Sequence, residues 1–411
     1  MAERILIISV KQQNQNEERF ESSLEELVSL CKTAGGSVEK IMTQNRQRVH
    51  PAFYIGEGKA DEIRKVVEEL DIDTVISNDE LSAGQLRNLS DKFDVKVIDR
   101  SQLILDIFAQ RAQTKEGKLQ VELAQLEYLL PRLHGQGEAM SRLGAGIGTR
   151  GPGETKMETD QRHIRRRIYD IKRRLKQVVQ QREQYRKRRK TNEVFQIAIV
   201  GYTNAGKSTL FNRLTNSSSL EENQLFATLD PLTREIHLPS GLHTLITDTV
   251  GFIQDLPTSL VASFRSTLEE VAEADFILHV VDASSPDFEQ HQETVNDLLQ
   301  DLDAHTIPTL TVYNKKDLIN ADFIAIHHPN ILMSALDTES IHQLQLKIEA
   351  VLKDEWEWYK VKLSADQGKV LNQLAKQTII EKRFFDETAN EYVVKGYIRE
   401  NHPLKSLLKE K

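Results

Sequence analysis

Apolar and polar positions along the chain follow two different periods. Between residues 1 and 105, short apolar runs (Ile5 to Val10, Val38 to Met42, Thr74 to Ser77, Val95 to Asp99) alternate with stretches of helical spacing (Glu17 to Thr33, Gly58 to Leu70, Ser82 to Phe93). Buried strands alternating with amphipathic helices predict a small α/β domain over 1–105. Gly56-Glu-Gly-Lys59 stands just before a helical pattern and reads as a turn and N-cap. No catalytic constellation is visible in this stretch.

From 116 to 190 the pattern is purely helical. Leu119, Leu123, Leu126, Leu130 and Leu133 form one narrow seam, and Ile164, Ile168, Ile171, Leu175 and Val178 form another. Two such seams predict an antiparallel helical hairpin within 106–192. Its connection, residues 134–155, is 22 residues long and holds seven of the chain's 19 glycines together with Pro152. Helix–helix loops usually need about two to eight residues, so a segment this long and this glycine-rich implies a function of its own.

Strands and helices alternate again over 193–354, at the spacing of a doubly wound, mostly parallel sheet. The remainder, 355–411, reads as a small α+β domain with a helix near Ser364 to Ile379 and a hairpin pairing Phe384 to Asp386 with Tyr392 to Ile398. Trp356 and Trp358 read as packing anchors at the junction, and the tail shows no site.

Composition narrows the class. With 411 residues, 39% hydrophobic and 28% charged, the chain is globular and too long for one core. No apolar run approaches the ~18 residues of a membrane span. The single cysteine, Cys31, allows neither an internal disulfide nor a multi-cysteine zinc site, which points to a reducing cytoplasm and a packing role. The 12 histidines show no metal-ligand spacing and read as surface residues, His327 and His328 among them.

Net charge is −8, but residues 161–190 carry 14 Lys and Arg against only Asp170 and Glu183, a local charge of +12. An anionic partner therefore has one obvious address, Arg162, Arg165, Arg166 and Arg173 included.

Phe195 to Val200 reads as a strand and runs into Gly201, Tyr202, Thr203, Asn204, Ala205, Gly206, Lys207, Ser208 and Thr209, followed by the helical Leu210 to Leu214. This is a phosphate loop in its required context: backbone N–H groups curl round the phosphates, Lys207 reaches the β- and γ-oxygens, and Ser208 ligates Mg²⁺. About 40 residues on, Asp248, Thr249, Val250 and Gly251 end a second strand, placing an acid for the Mg²⁺ shell and a glycine N–H for the γ-phosphate. A third strand leads into Asn314, Lys315, Lys316 and Asp317. The Asp317 carboxylate can accept from both the N1–H and the exocyclic amine of guanine, a pair that adenine does not present.

With these motifs in place, the chain resembles the translation-factor class of GTPases and, more narrowly, the HflX family of ribosome-associated GTPases, over nearly its whole length. Two further stretches carry the narrower likeness: Phe226-Ala227-Thr228 through Arg234, and Ser141 through Lys156. The resemblance implies that Phe226 and Ala227 flank GTP, that Thr228 joins Ser208 and Asp248 on Mg²⁺, and that Lys207, Thr228 and Gly251 serve hydrolysis. It places Ser334 and Ala335 beside the guanine O6. It further implies binding to the large ribosomal subunit, splitting or rescue of stalled ribosomes under stress, and insertion of the interhelical loop, with Arg142, Arg150 and Lys156, toward the peptidyl-transferase centre.

Phe252 occupies the position where many GTPases carry a water-orienting glutamine, which predicts slow hydrolysis in the free protein and stimulation by a partner. Asn204 resembles the residue that K⁺-using GTPases place near that ion. Arg234 reads as a solvated or ion-paired strand arginine rather than an arginine finger. Aromatic residues are sparse in the basic helix (Tyr169, Tyr185), so recognition of backbone and shape rather than base stacking is expected. Charge alone would serve double-helical DNA equally well, and it is the GTP motifs together with the family resemblance that imply RNA and not DNA. The expected protein is a cytoplasmic monomer whose basic face would also tolerate a membrane surface. The rival reading is a signalling switch whose hairpin holds a protein effector or an acidic surface.

Overall fold

The computed structural model describes residues 2–133, 156–191, 194–215, 225–226, 228–254, 270–319 and 323–408. They form two compact units. The first is built from Met1–Gln180 and takes in Phe226 and Gln254; the second holds most of the rest.

In the first unit, β1 (Arg4–Gln12), β2 (Ser37–Arg46), β3 (Thr74–Ser77) and β4 (Lys96–Asp99) make a parallel sheet in the order β2-β1-β3-β4. Helices α1 (Glu17–Thr33), α2 (Glu57–Glu69) and α3 (Ala83–Phe93) connect them. Each helix start is fixed locally. The Asn16 side chain accepts from Glu18 N at 2.9 Å, Ser82 and Gln85 form a capping box, and Gly56 precedes α2, as the turn-and-N-cap reading required. Leu6, Ile8, Val75, Leu89 and Phe93 fill the core. Cys31 is fully buried and its thiol is pushed up to about 12 by burial, the behaviour of a packing residue.

Helix α4 (Arg100–Arg111) escapes the sequence reading because β4 runs into it with no loop between. The buried Asp99 carboxylate makes the join by accepting from Gln102 N and Leu81 N, both at 2.9 Å. Helix α5 (Lys115–Leu133) packs on α3 and α4 as well as carrying its leucine seam. Its buried apolar side chains are therefore Val121, Leu123, Ala124 and Tyr128, while Leu119, Leu126 and Leu130 are half-buried. Helix α6 (Lys156–Thr191) is tied to α5 by a bidentate Arg167–Glu122 pair at 2.6 and 2.8 Å and by Lys172–Glu127 at 2.7 Å. Phe226 sets its ring edge-on to Phe108, centroids 4.5 Å apart.

The second unit is organised by a six-stranded sheet in the order β10-β9-β8-β5-β7-β6, parallel except for the β6/β7 edge. The strands are β5 (Phe195–Gly201), β6 (Leu232–His237), β7 (His243–Asp248), β8 (Phe276–Asp282), β9 (Thr309–Asn314) and β10 (Asn330–Leu332). Helices α7 (Lys207–Thr215), α8 (Phe288–Asp301) and α9 (Thr338–Glu355) accompany them. The apolar runs of β5, β8 and β9 are buried along almost their whole length, as sequence runs without alternation require of central parallel strands.

Beyond α9, β11 (Glu357–Ser364), α10 (Gly368–Gln377), β12 (Ile379–Asp386), β13 (Glu391–Ile398) and the short α11 (Lys405–Leu408) complete the chain, with an antiparallel sheet ordered β11-β13-β12. Trp356 is buried edge-on to Phe195, centroids 5.5 Å apart, and is the anchor expected. Trp358 is not: it lies on β11, on the face opposite the buried Tyr359, Val361 and Leu363, and is 54% exposed.

Candidate nucleotide site

Three loops follow the carboxyl ends of β5, β7 and β9, the edge where open α/β sheets bind ligands. The first is 201–208. Gly206 takes φ +91°, and a Cβ there would stand 2.3 Å from Asn314 Nδ2, so only glycine lets the loop close. Asn204, at the apex with φ +60°, is exposed. Lys207 is buried and donates from Nζ to the Tyr202 carbonyl at 2.7 Å. Burial pulls its ammonium down to about 8, with Asp248 opposing the shift. A buried cation held, among the described residues, by a carbonyl and the field of one carboxylate suits an incoming polyanion.

The second loop starts at Asp248. Its Oδ2 accepts from Ser208 Oγ and from Thr228 Oγ1, each at 2.8 Å, and the two hydroxyls are 2.7 Å apart. Asp248 Oδ1 is buried with no hydrogen-bond partner among the described residues, and burial raises its carboxyl above the usual range. Three hard oxygens together, one with an unused buried lone pair, fit an oxygen-loving divalent cation such as Mg²⁺. Gly251 packs so closely that a Cβ would lie 2.8 Å from Thr203 Cγ2 and 2.9 Å from Lys207 Nζ. Phe252 is buried; its N–H donates to the Gly201 carbonyl at 3.2 Å and its carbonyl accepts from Thr203 N at 2.7 Å, so it braces the phosphate loop.

The third loop is braced by Asn314. Its Nδ2 donates to the Ala205 carbonyl and its Oδ1 accepts from Ala335 N, both at 2.9 Å. Lys315, at φ +64°, reaches Asp282 with Nζ at 2.6 Å, and Asp317 is exposed.

Most of the residues expected at a nucleotide meet here, and several do so in supporting roles. Thr249 Oγ1 donates to the Ile199 carbonyl at 2.7 Å, Val250 is buried, and Tyr202 stacks on His291 with centroids 3.8 Å apart. Thr209 continues the first turn of α7, and Ser334 Oγ accepts from Leu336 N at 3.3 Å. Phe226 stands against Phe108 in the first unit instead. Ala227, Arg142 and Arg150 lie outside the described residues, and of Lys156 only its place at the start of α6 is described. Arg162, Arg165, Arg166 and Arg173 are exposed along α6, Arg173 with a loose 3.7 Å pair to Asp170. Arg234 is exposed.

Two features escaped the sequence reading. Histidines were expected at the surface, yet His279 in β8 and His402 are buried, and burial lowers them to about 3 and about 4. On the outer face of the C-terminal sheet, Lys360, Lys395 and Lys382 are direct cross-strand partners, with Lys362 beside them. Like charges abreast are unfavourable without an anion above them. The signal was the i, i+2 spacing of Lys360 and Lys362, which becomes a face only once β11 is recognised as a strand.

With these loops meeting at one sheet edge, the second unit has the build of a P-loop GTPase. Comparison with known proteins agrees and goes further. Family models match consecutive stretches: the N-terminal region of GTP-binding GTPases over 21–109, their middle region over 111–189, and a "50S ribosome-binding GTPase" domain over 196–315. GTPase HflX of Alkalihalophilus pseudofirmus is 55% identical over 410 residues, 100% of this chain and 97% of its own. That of Escherichia coli K12 is 43% identical, covering 89% and 87%. Among solved structures, a GTP-binding protein of Sulfolobus solfataricus in complex with GDP aligns at 24% identity and TM-score 0.46, over 86% of this chain and 99% of that one. The chain belongs to the HflX family of GTPases and is a GTP-hydrolysing enzyme.

Proposed function

We propose that this GTPase binds the large ribosomal subunit through RNA phosphates, promotes splitting or rescue of stalled ribosomes under stress, and hydrolyses GTP faster when so bound. The supporting observation is the Ser208–Thr228–Asp248 cluster. Thr228 belongs to a loop yet shares its hydroxyl contacts with the phosphate loop and with β7, so the loop's position depends on what those oxygens hold. Mg²⁺ would be held by Ser208, Thr228 and Asp248 and would neutralise charge on the β- and γ-oxygens. Lys207 binds the same oxygens, and Gly251 admits the γ-phosphate to the N–H beside it. Asp317 selects guanine. Buried Phe252 orients no water, so the free protein turns over on the order of 10⁻⁴ to 10⁻³ s⁻¹, the range of an unassisted switch GTPase.

The partner is approached by charge. The exposed arginines of α6 and the lysine row of the C-terminal sheet offer phosphate contacts without base readout. Residues 141–156, with Arg142, Arg150 and Lys156, serve as a probe among RNA backbones toward the peptidyl-transferase centre. Asn204 helps to hold K⁺, and turnover in KCl then exceeds that in NaCl. The protein acts as a cytoplasmic monomer.

Single-turnover GTP hydrolysis with and without isolated large subunits, at two salt concentrations, tests the reading. It expects acceleration of at least ~10-fold that fades as salt rises. Equal rates with and without subunits would refute it.

A further inference from the structure

The β6–β7 hairpin carries a side-chain cluster that the nucleotide chemistry does not use. His237 and His243 face each other across the two strands, ring centroids 3.9 Å apart and inclined at 71°. Glu235, two residues earlier on β6, lies on the same sheet face, and its Oε1 is 2.8 Å from His243 Nδ1. One ligand atom from each of the three falls within 4.8 Å of the other two, and among the described residues no other group of three His, Cys, Asp or Glu does this. Donors about 2.0–2.2 Å from a tetrahedral zinc ion stand roughly 3.3–3.5 Å apart, so the cluster needs only small rotamer changes to close on an ion.

The hairpin presents these ligands on a rigid support. Leu238 and Leu242 are buried in the core of the second unit, and Leu238 N donates to the Leu242 carbonyl at 3.0 Å. Gly241 takes φ +93° and donates to the Leu238 carbonyl at 2.8 Å. Ser240 N donates at 2.7 Å to Oε1 of Glu349, which is buried. The strand register that pairs His237 with His243 is thus fixed without an ion, and the two imidazoles remain accessible. Two imidazoles and one carboxylate suit zinc and its neighbours among the first-row transition ions and do not suit Mg²⁺ or Ca²⁺.

We propose that Glu235, His237 and His243 form a transition-metal site of the zinc class, with water completing the coordination. The proposal is independent of the ribosomal reading, since it concerns a separate face and a separate ligand.

The test uses the full chain loaded with GDP and Mg²⁺, titrated with Co²⁺ as a spectroscopic probe and then with Zn²⁺ as competitor. The expected result is one Co²⁺ per chain, visible ligand-field bands of a four- or five-coordinate site, and displacement by Zn²⁺. His237→Gln and His243→Gln should each weaken binding at least tenfold, leaving GTP turnover unchanged. Zn²⁺ should raise the melting temperature of the unsubstituted protein but not of His237→Gln, a readout that needs no activity. Unchanged stoichiometry and affinity in the doubly substituted chain would overturn the proposal, as would the absence of any ligand-field band, which would leave only a His–Glu hydrogen bond beside an edge-on histidine.

Discussion

In the nucleotide pocket a single ammonium, Lys207, is buried beside Asp248 and held down to about 8, whereas along α6 the guanidinium groups of Arg162, Arg165, Arg166 and Arg173 stand in solvent. On the proposed function, both regions meet phosphate. The pocket concentrates its effect: buried groups at fixed distances interact strongly and tolerate no displacement, since a Cβ on Gly251 would already crowd Lys207. The helix spreads its effect over many screened charges, each worth little, whose sum depends on salt. On that proposal one region discriminates chemistry, and the other supplies affinity.

Substitutions should separate the two. Lys207→Ala removes the buried cation and should lower single-turnover GTP hydrolysis by about 10³-fold or more, while RNA binding by the nucleotide-free protein is unchanged. Replacing Arg165, Arg166 and Arg173 by Glu should do the reverse. RNA affinity should fall about 10²-fold near 0.1 M salt and the salt slope should drop by roughly 2 to 3, with GTP affinity unaffected; filter binding across a salt series reads both. If the slope stayed the same, those arginines would not be phosphate contacts.

Gly251→Ala probes the pocket more finely. Hydrolysis should fall about 10- to 100-fold, because the new methyl displaces Lys207 or Thr203, while GDP affinity stays within about threefold by calorimetry. The smallest effect concerns His279. Its folded value is depressed to about 3, so it carries no penalty above its ordinary value near 6.5. As pH falls below that point the unfolded chain takes up a proton that the folded chain refuses, at a cost of up to about 1.4 kcal/mol per pH unit. His279→Leu should therefore flatten the loss of stability between pH 6.5 and pH 4.5 in denaturant melts of the second unit.

The same contrast explains what the sequence disclosed. Lys207, Asp248 and Asp317 were legible because each motif fixes a residue type at a fixed place after a strand. The basic helix was legible because charge density survives any detail of packing. Helix α4 was hidden by its loopless join to β4, and β11 by following the long α9 with only Trp356 between them. The lysine row and the Glu235–His237–His243 cluster were illegible because cross-strand register, not sequence spacing, brings their members together. Phe226 stands two residues before the pocket threonine Thr228 but packs on Phe108, a placement that tertiary contacts alone decide.

The most direct test of the account is the affinity of the protein for isolated large ribosomal subunits, measured by co-sedimentation with a non-hydrolysable GTP analogue and with GDP at the same salt concentration. Coupling between the Thr228 loop and the cationic surfaces predicts at least tenfold tighter binding with the triphosphate analogue. Superimposable binding curves would contradict it.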